Sequence, residues 1–252
     1  MTENIQITTA DRVTTLTIAR PEKRNAITQA MYGAMADALE HYANSDDARA
    51  FVITGADEYF TSGNDIRDFS MGHQGDETPA VLRFLTAISH CPKPVIAAVN
   101  GPAIGVGVTM LLHCDLVMAA TTATFSTPFV QLGLVPEAGS SMLLPAAVGM
   151  AVANDMLLAG RVLDATEAQN FGLVSRVFPG TELLSEVNAT AIKVAASAPN
   201  SMKQTKGLIR QGRDQMLEQM HKESVLFAAQ LKSSEFAEVV QAKMLKRVPV
   251  FD

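Results

Sequence analysis

FVITGADEYFTSGND, Phe51 to Asp65, and VIAAVNGPAIGVG, Val95 to Gly107, share one plan. Each begins with a short apolar, β-branched run, FVITG or VIAAV, that reads as a buried strand. Each run stops at Gly55 or at Asn100-Gly101 and passes into a loop of small residues, Phe60 to Asp65 and Asn100 to Gly107. The second loop opens an apolar helix, VTMLLH. Working outward, Arg12 to Ile18 reads as another strand, and DLVMAA, Asp115 to Ala120, as a third apolar one. From Thr28 to Tyr42, Met31, Met35, Leu39 and Tyr42 fall on one helical face. Strands alternating with helices predict an α/β architecture.

After about residue 145 strand signals nearly vanish, apart from LVSRVF, Leu173 to Phe178. Thr166 with Gln169 has the spacing of a capping box, and Gly172 that of a glycine just past a helix end. The tail from about Ser201 to Lys246 is amphipathic and needs a surface on which to bury Leu217, Val225, Leu226, Val239 and Leu245. The chain therefore divides into an α/β core, residues 1–195, and a C-terminal helical region, residues 196–252.

Composition narrows the function. The 252 residues are 48% hydrophobic and 18% charged, enough for a sizeable core. A net charge of -6 works against nucleic-acid binding and gives no global steering of anions, so a phosphate contact needs a local basic cluster. The two cysteines, Cys91 and Cys114, have no metal-like spacing, and the N-terminus has no secretory pattern. No apolar run is long enough to span a membrane, and RVPVFD is not a peroxisomal address, so a cytoplasmic location is expected.

Three segments carry the chemistry. Both loops offer backbone N–H groups at strand-to-helix junctions, where anions and developing oxyanions bind, although each alone also reads as a capped turn. The second loop lacks the G-x-G-x-x-G and P-loop patterns of nucleotide sites. In LGLVPEAGS, Leu132 to Ser140, a single carboxylate, Glu137, stands among apolar residues beside a helix start. It reads either as a first-turn glutamate favoured by the helix dipole or as a buried carboxylate tuned for proton transfer. Lys203, Lys206, Arg210 and Arg213 recur at helical spacing and read as a solvated face, with phosphate contact as the alternative. His41, His73, His90, His113 and His221 form no H-E-x-x-H motif, so no metal is expected. His113-Cys114 reads as packing, and Asp65 as the cap of a following helix.

Taken in order, RPEKRNAIT (Arg20 to Thr28), ITGADEYFTSGNDI, AAVNGPAIGVGVTMLLHCDLVMA, ATFSTPFVQLGLVPEAGSS and LLAGRVLDATEAQNFGLVSRVF resemble the crotonase, or enoyl-CoA hydratase/isomerase, family over most of the chain. The resemblance implies a spiral of ββα units with a C-terminal helical trimerisation region. It implies a homotrimer or dimer of trimers, an acyl-CoA substrate, and no cofactor beyond the coenzyme A that belongs to the substrate. It places the oxyanion hole at the backbone N–H groups of Asn64 and Val106. It puts Lys23 and Arg24 near the coenzyme phosphates, and Ser62, Gly63, Asp65, Ile66, Gly105, Thr109, Phe129 and Leu132 around the substrate.

The departures from the family pattern matter most. Hydratases of the family carry two glutamates, at positions that are Thr109 and Phe129 here. Instead, TPF, PEAGSS and the asparagine of SGND are similar to the peroxisomal-type Δ3,Δ2-enoyl-CoA isomerases, in which the glutamate of PE is the catalytic residue. That resemblance implies a 3-enoyl-CoA to trans-2-enoyl-CoA isomerase using Glu137, with Phe129, Leu132 and Val135 keeping its pocket dry. Alternatives on the same fold are ring-substituted acyl-CoA isomerisation, hydration, dehalogenase-like nucleophilic attack, and a non-catalytic, for example RNA-binding, protein. With no Trp, three Tyr and 6% aromatic residues, the aromatic cage of a dehalogenase is thin. The net charge opposes RNA binding.

Overall fold

The computed structural model describes residues 2–66, 68, 79–210 and 212–251. His73 lies outside the described residues. The main sheet is built from β1 (Ile5–Ala10), β2 (Val13–Ile18), β3 (Ala50–Gly55), β4 (Val95–Val99), β6 (Leu116–Ala120) and β9 (Arg176–Phe178). They lie side by side in that order. β1 and β2 pair antiparallel and every later neighbour pairs parallel. Every residue of β3 and of β4 is buried, as expected where helices cover both faces of a parallel sheet.

The alternation along these strands assigns the two faces. Val52, Ile96, Ala98 and Met118 meet Leu183, Val187, Ala191 and Ala195 of one helix, Gly180–Ala195. Phe51, Ile53, Ala97, Val99 and Ala119 face the larger core. Helix α1 (Gln29–Asn44) lies in that core, capped by Thr28, whose side chain accepts from the Met31 amide at 3.3 Å. Its apolar face, Met31, Met35, Leu39 and Tyr42, is buried as the spacing predicts. Helix α2 (Ala80–His90) packs beside it through Phe84, 5.5 Å from the Tyr32 ring.

A second, small sheet joins β5 (Ala103–Ile104), β7 (Thr124–Ser126) and β8 (Leu163–Asp164). It is local and holds the second loop in place, because Gly105 N–H donates to Ser126 O at 2.9 Å.

Three sequence expectations need correction. The capping box forms two residues earlier, between Asp164 and Glu167, because Asp164 ends β8 in extended conformation and so has the backbone of a cap. Lys206 and Arg210 are not a solvated face: Lys206 is buried and its ammonium meets Asp115 at 2.7 Å, and Arg210 meets the same carboxylate at 3.0 Å. Asp115 in turn accepts from the Val95 amide at 2.8 Å, so this cluster ties the helix Pro199–Ile209 to the start of β4. Lys203 is exposed, and the side chain of Arg213 lies outside the described residues. The amphipathic tail is only partly covered: Val239 is buried, while Val225, Leu226 and Leu245 remain 57%, 57% and 62% exposed.

Candidate active site

The site lies where β3 and β4 end, as ligand sites do in parallel α/β sheets. The loop after β3 and the loop after β4 are knitted together. Thr61 N–H donates to Pro102 O at 3.2 Å and Ile104 N–H to Thr61 O at 3.0 Å. Two glycines permit the contact. A Cβ on Gly63, whose φ is +92°, would lie 2.9 Å from Ile104 O, and one on Gly107 would lie 2.6 Å from the Thr61 methyl.

Each loop presents one backbone amide with no ladder partner. Ile27 bridges to Asn64, but the bonds run from Ile27 N–H to Gly63 O and from Asp65 N–H to Ile27 O, both 2.9 Å, and so bypass the Asn64 amide. Val106 is the first residue of the short helix Val106–Thr109, so its amide has no acceptor within the helix. The Asn64 side chain is fixed by the buried Tyr32 hydroxyl, which donates to Oδ1 at 2.5 Å. Sequence reading missed Tyr32, because its position on α1 also satisfies the apolar core pattern.

The segment from Arg20 to Asn25 supports the first loop from below. Buried Asn25 donates to Ala56 O and Tyr59 O at 2.8 and 2.7 Å, and its Oδ1 accepts from Arg20 N–H at 2.9 Å. Arg20 pairs with Asp65 at 2.7 Å. Asp65 also accepts from the Asp68 amide at 3.3 Å; the segment it was expected to cap lies largely outside the described residues. Lys23 and Arg24 are exposed beside this loop; Ser62 N–H donates to Arg24 O at 2.9 Å, and the Arg24 guanidinium lies over the Tyr59 ring. Ile66 is exposed on the same rim.

Glu137 is buried, 8% exposed, but not in the first turn of a helix. The helix begins at Ser140, and Glu137 stands in the turn before it, its carbonyl accepting from Ser140 N–H at 3.1 Å. The helix-dipole reading therefore loses its geometry. Ala138 and Gly139 both take left-handed conformations, φ +59° and +73°, which an alanine adopts only at a cost. Two distant groups hold this turn. His113 Nε2 lies 2.8 Å from Ala138 O, so the histidine expected to pack also anchors the turn. Glu223, from the helix Arg213–Gln230, accepts from Gly139 N–H at 2.5 Å and Ser141 N–H at 3.0 Å.

The electrostatics single out Glu137. Burial pushes its carboxyl up to about 7; the Thr109 hydroxyl, which donates to Oε1, opposes the rise, and the charge of Glu223 adds to it. Tyr32 is pushed well above the usual phenol range, by burial first and then by the negative charge of Glu137. Thr109 is fully buried and Phe129 nearly so, while Leu132 and Val135 are half-buried. A carboxyl near neutrality can both take and return a proton. Among the described residues the Asn64 and Val106 amides have no backbone acceptor, and with them such a carboxyl suits chemistry next to a carbonyl.

Comparison with known proteins identifies the family. The family model for enoyl-CoA hydratase/isomerase matches residues 8–252. Enoyl-CoA delta isomerase 2 of Rattus norvegicus is 42% identical over 88% of this chain, which spans 58% of the rat protein. The 2,3-dehydroadipyl-CoA hydratase of Escherichia coli is 34% identical over 95% of both chains. A solved enoyl-CoA hydratase/isomerase from Pseudoalteromonas atlantica superposes with a TM-score of 0.97 at 50% identity, covering 99% of this chain and 100% of the other. The chain belongs to the enoyl-CoA hydratase/isomerase family, the crotonases, and has the crotonase fold with its C-terminal helices.

Proposed function

We propose that this chain is an acyl-CoA double-bond isomerase that converts a 3-enoyl-CoA to a trans-2-enoyl-CoA. The observation that carries the reading is the surroundings of Glu137. It is buried, the Thr109 hydroxyl donates to it, and the positions where hydratases of the family carry glutamates hold Thr109 and Phe129. Hydration needs a water held and activated between two carboxylates. Moving a double bond needs one base that can reach both C2 and C4.

In the proposed reaction the thioester oxygen lies between the Asn64 and Val106 amides. Glu137 takes a proton from C2; the C2–H bond breaks and its electrons pass into a dienolate whose oxygen charge the two amides stabilise. The Glu137 carboxylic acid then returns the proton to C4, leaving the double bond between C2 and C3. Atoms and charge balance with no co-reactant. Tyr32 holds the first amide's residue in place, and Phe129, Leu132 and Val135 exclude water. Lys23 and Arg24, both exposed beside the first loop, meet the coenzyme phosphates in this reading. The exposed Val225, Leu226 and Leu245 support assembly of the C-terminal helices with other copies, as a trimer or dimer of trimers.

The direct test is a panel of 3-enoyl-CoA and 2-enoyl-CoA thioesters scored separately for isomerisation and hydration. Isomerisation is expected to dominate; comparable 3-hydroxyacyl-CoA formation would reassign the enzyme as a hydratase. The dependence on pH supplies a second check. The base must be ionised, so kcat/KM is expected to rise with pH through about 7. Thr109 donates to the ionised form and lowers the pKa, so Thr109→Val is expected to move that limb to higher pH and reduce activity most below pH 7. An unmoved limb in this variant would mean that another group titrates.

A further inference from the structure

The helix Ser140–Val148 has no cap of its own. Its N-cap residue is Gly139, which offers no side chain. The missing acceptor arrives from 84 residues away: Glu223, itself only 4% exposed, turns its carboxylate onto the first amides of this helix. Oε2 accepts from Gly139 N–H at 2.5 Å; Oε1 accepts from Ser141 N–H at 3.0 Å and from the Ser141 hydroxyl. Gln219, one turn before Glu223, donates to that hydroxyl at 2.8 Å. A buried carboxylate with three donors is well satisfied, and removing it strands all three.

We propose that Glu223 is a positioning residue for the active site, holding the turn that aims Glu137. The inference rests on the reading of Glu137 as the proton carrier. The turn is short, Glu137-Ala138-Gly139, and its last two residues lie in the left-handed region, which glycine adopts freely but which Ala138 keeps only when neighbours impose it. His113 fixes the carbonyl of the middle residue and Glu223 the amide of the last. With both holds in place, the Glu137 side chain has a defined origin; without Glu223 the Gly139 end is released. The C-terminal helical region thereby takes part in the chemistry.

Glu223 acts on Glu137 through its charge as well. Among the described residues, the titratable groups near Glu137 include Tyr32 from α1, His113 from the turn Met110–His113, and Glu223; the helix Ser140–Val148 carries no charged residue. The negative charge of Glu223 raises the Glu137 pKa, so neutralising it moves the acid limb of the pH profile to lower pH.

The test uses the full-length enzyme assayed for 3-enoyl-CoA isomerisation. Glu223→Ala is expected to lower kcat by roughly tenfold to a hundredfold, the scale of a small misplacement of a reacting group, with KM nearly unchanged. Glu223→Gln keeps the size and one acceptor oxygen. It is expected to recover part of that loss and to show its acid limb at lower pH than wild type. Should the alanine variant fail to fold, the glutamine variant still decides: an acid limb and a kcat both equal to wild type overturn the inference. Glu137→Gln, run in parallel, separates the two ideas. If it remains active, the reading of Glu137 is wrong; if it is inactive while Glu223→Gln behaves as wild type, only the role of Glu223 falls.

Discussion

Glu137→Gln is expected to lower kcat by roughly 10²–10⁴-fold, the usual contribution of a general acid–base group, while making the protein more stable at alkaline pH. The two effects share one cause. Burial raises the Glu137 carboxyl to about 7, so the folded state favours its protonated form. That stability is fully present below the ordinary carboxylate range and is lost as pH rises through about 7. Ionising a group held from 4.5 to about 7 in this way costs about 3 kcal/mol at higher pH. A glutamine never ionises and escapes the cost. Thermal midpoints of the two proteins should therefore nearly coincide near pH 4, diverge as pH rises from 4.5 to about 7, and stay apart above that, with the variant higher. A surface glutamate would give neither the kinetic nor the stability change. Turnover within a few-fold of wild type would move the proton transfer to another residue.

Val106→Pro is expected to cost roughly 10²–10³-fold in kcat, the measured scale for losing one oxyanion donor, while Val106→Gly keeps substantial activity. Proline removes the N–H and nothing else that the reaction uses. It suits the first position of a helix, which Val106 occupies, so the fold is expected to survive. Glycine keeps the donor and deletes a side chain that is buried and apolar. A folded proline variant with normal turnover would exclude the second loop from the chemistry.

What the sequence made legible was local. β3 and β4 were readable because both faces are buried, which leaves unbroken apolar runs ending at Gly55 and Asn100. β1 was not, since IQITTA is an edge strand with only Ile5 buried and carries no pattern to find. β5 and β8, two residues each, are too short for periodicity to register. The capping box was misplaced because two overlapping segments both fit the spacing, and only the extended backbone of Asp164 decides between them. The same divide runs through the candidate site. Glu137 and the two loops are contiguous motifs. Tyr32 reaches Asn64 across 32 residues and Glu223 reaches Gly139 across 84, and neither has a local signal to distinguish a site contact from an ordinary helix residue.

The knitting of the two loops bears on how this enzyme can be altered. Because Gly63 abuts Ile104 O and Gly107 abuts Thr61, the loops form one rigid part with a shared seam. A library that randomises either loop alone will mostly sample misfits to the unchanged partner. Under the proposed function, acyl preference is more accessible to change at Phe129, Leu132 and Val135, which carry neither amide and cross no seam. Engineering that does redesign the loops must vary both together, as one would recut both halves of a joint.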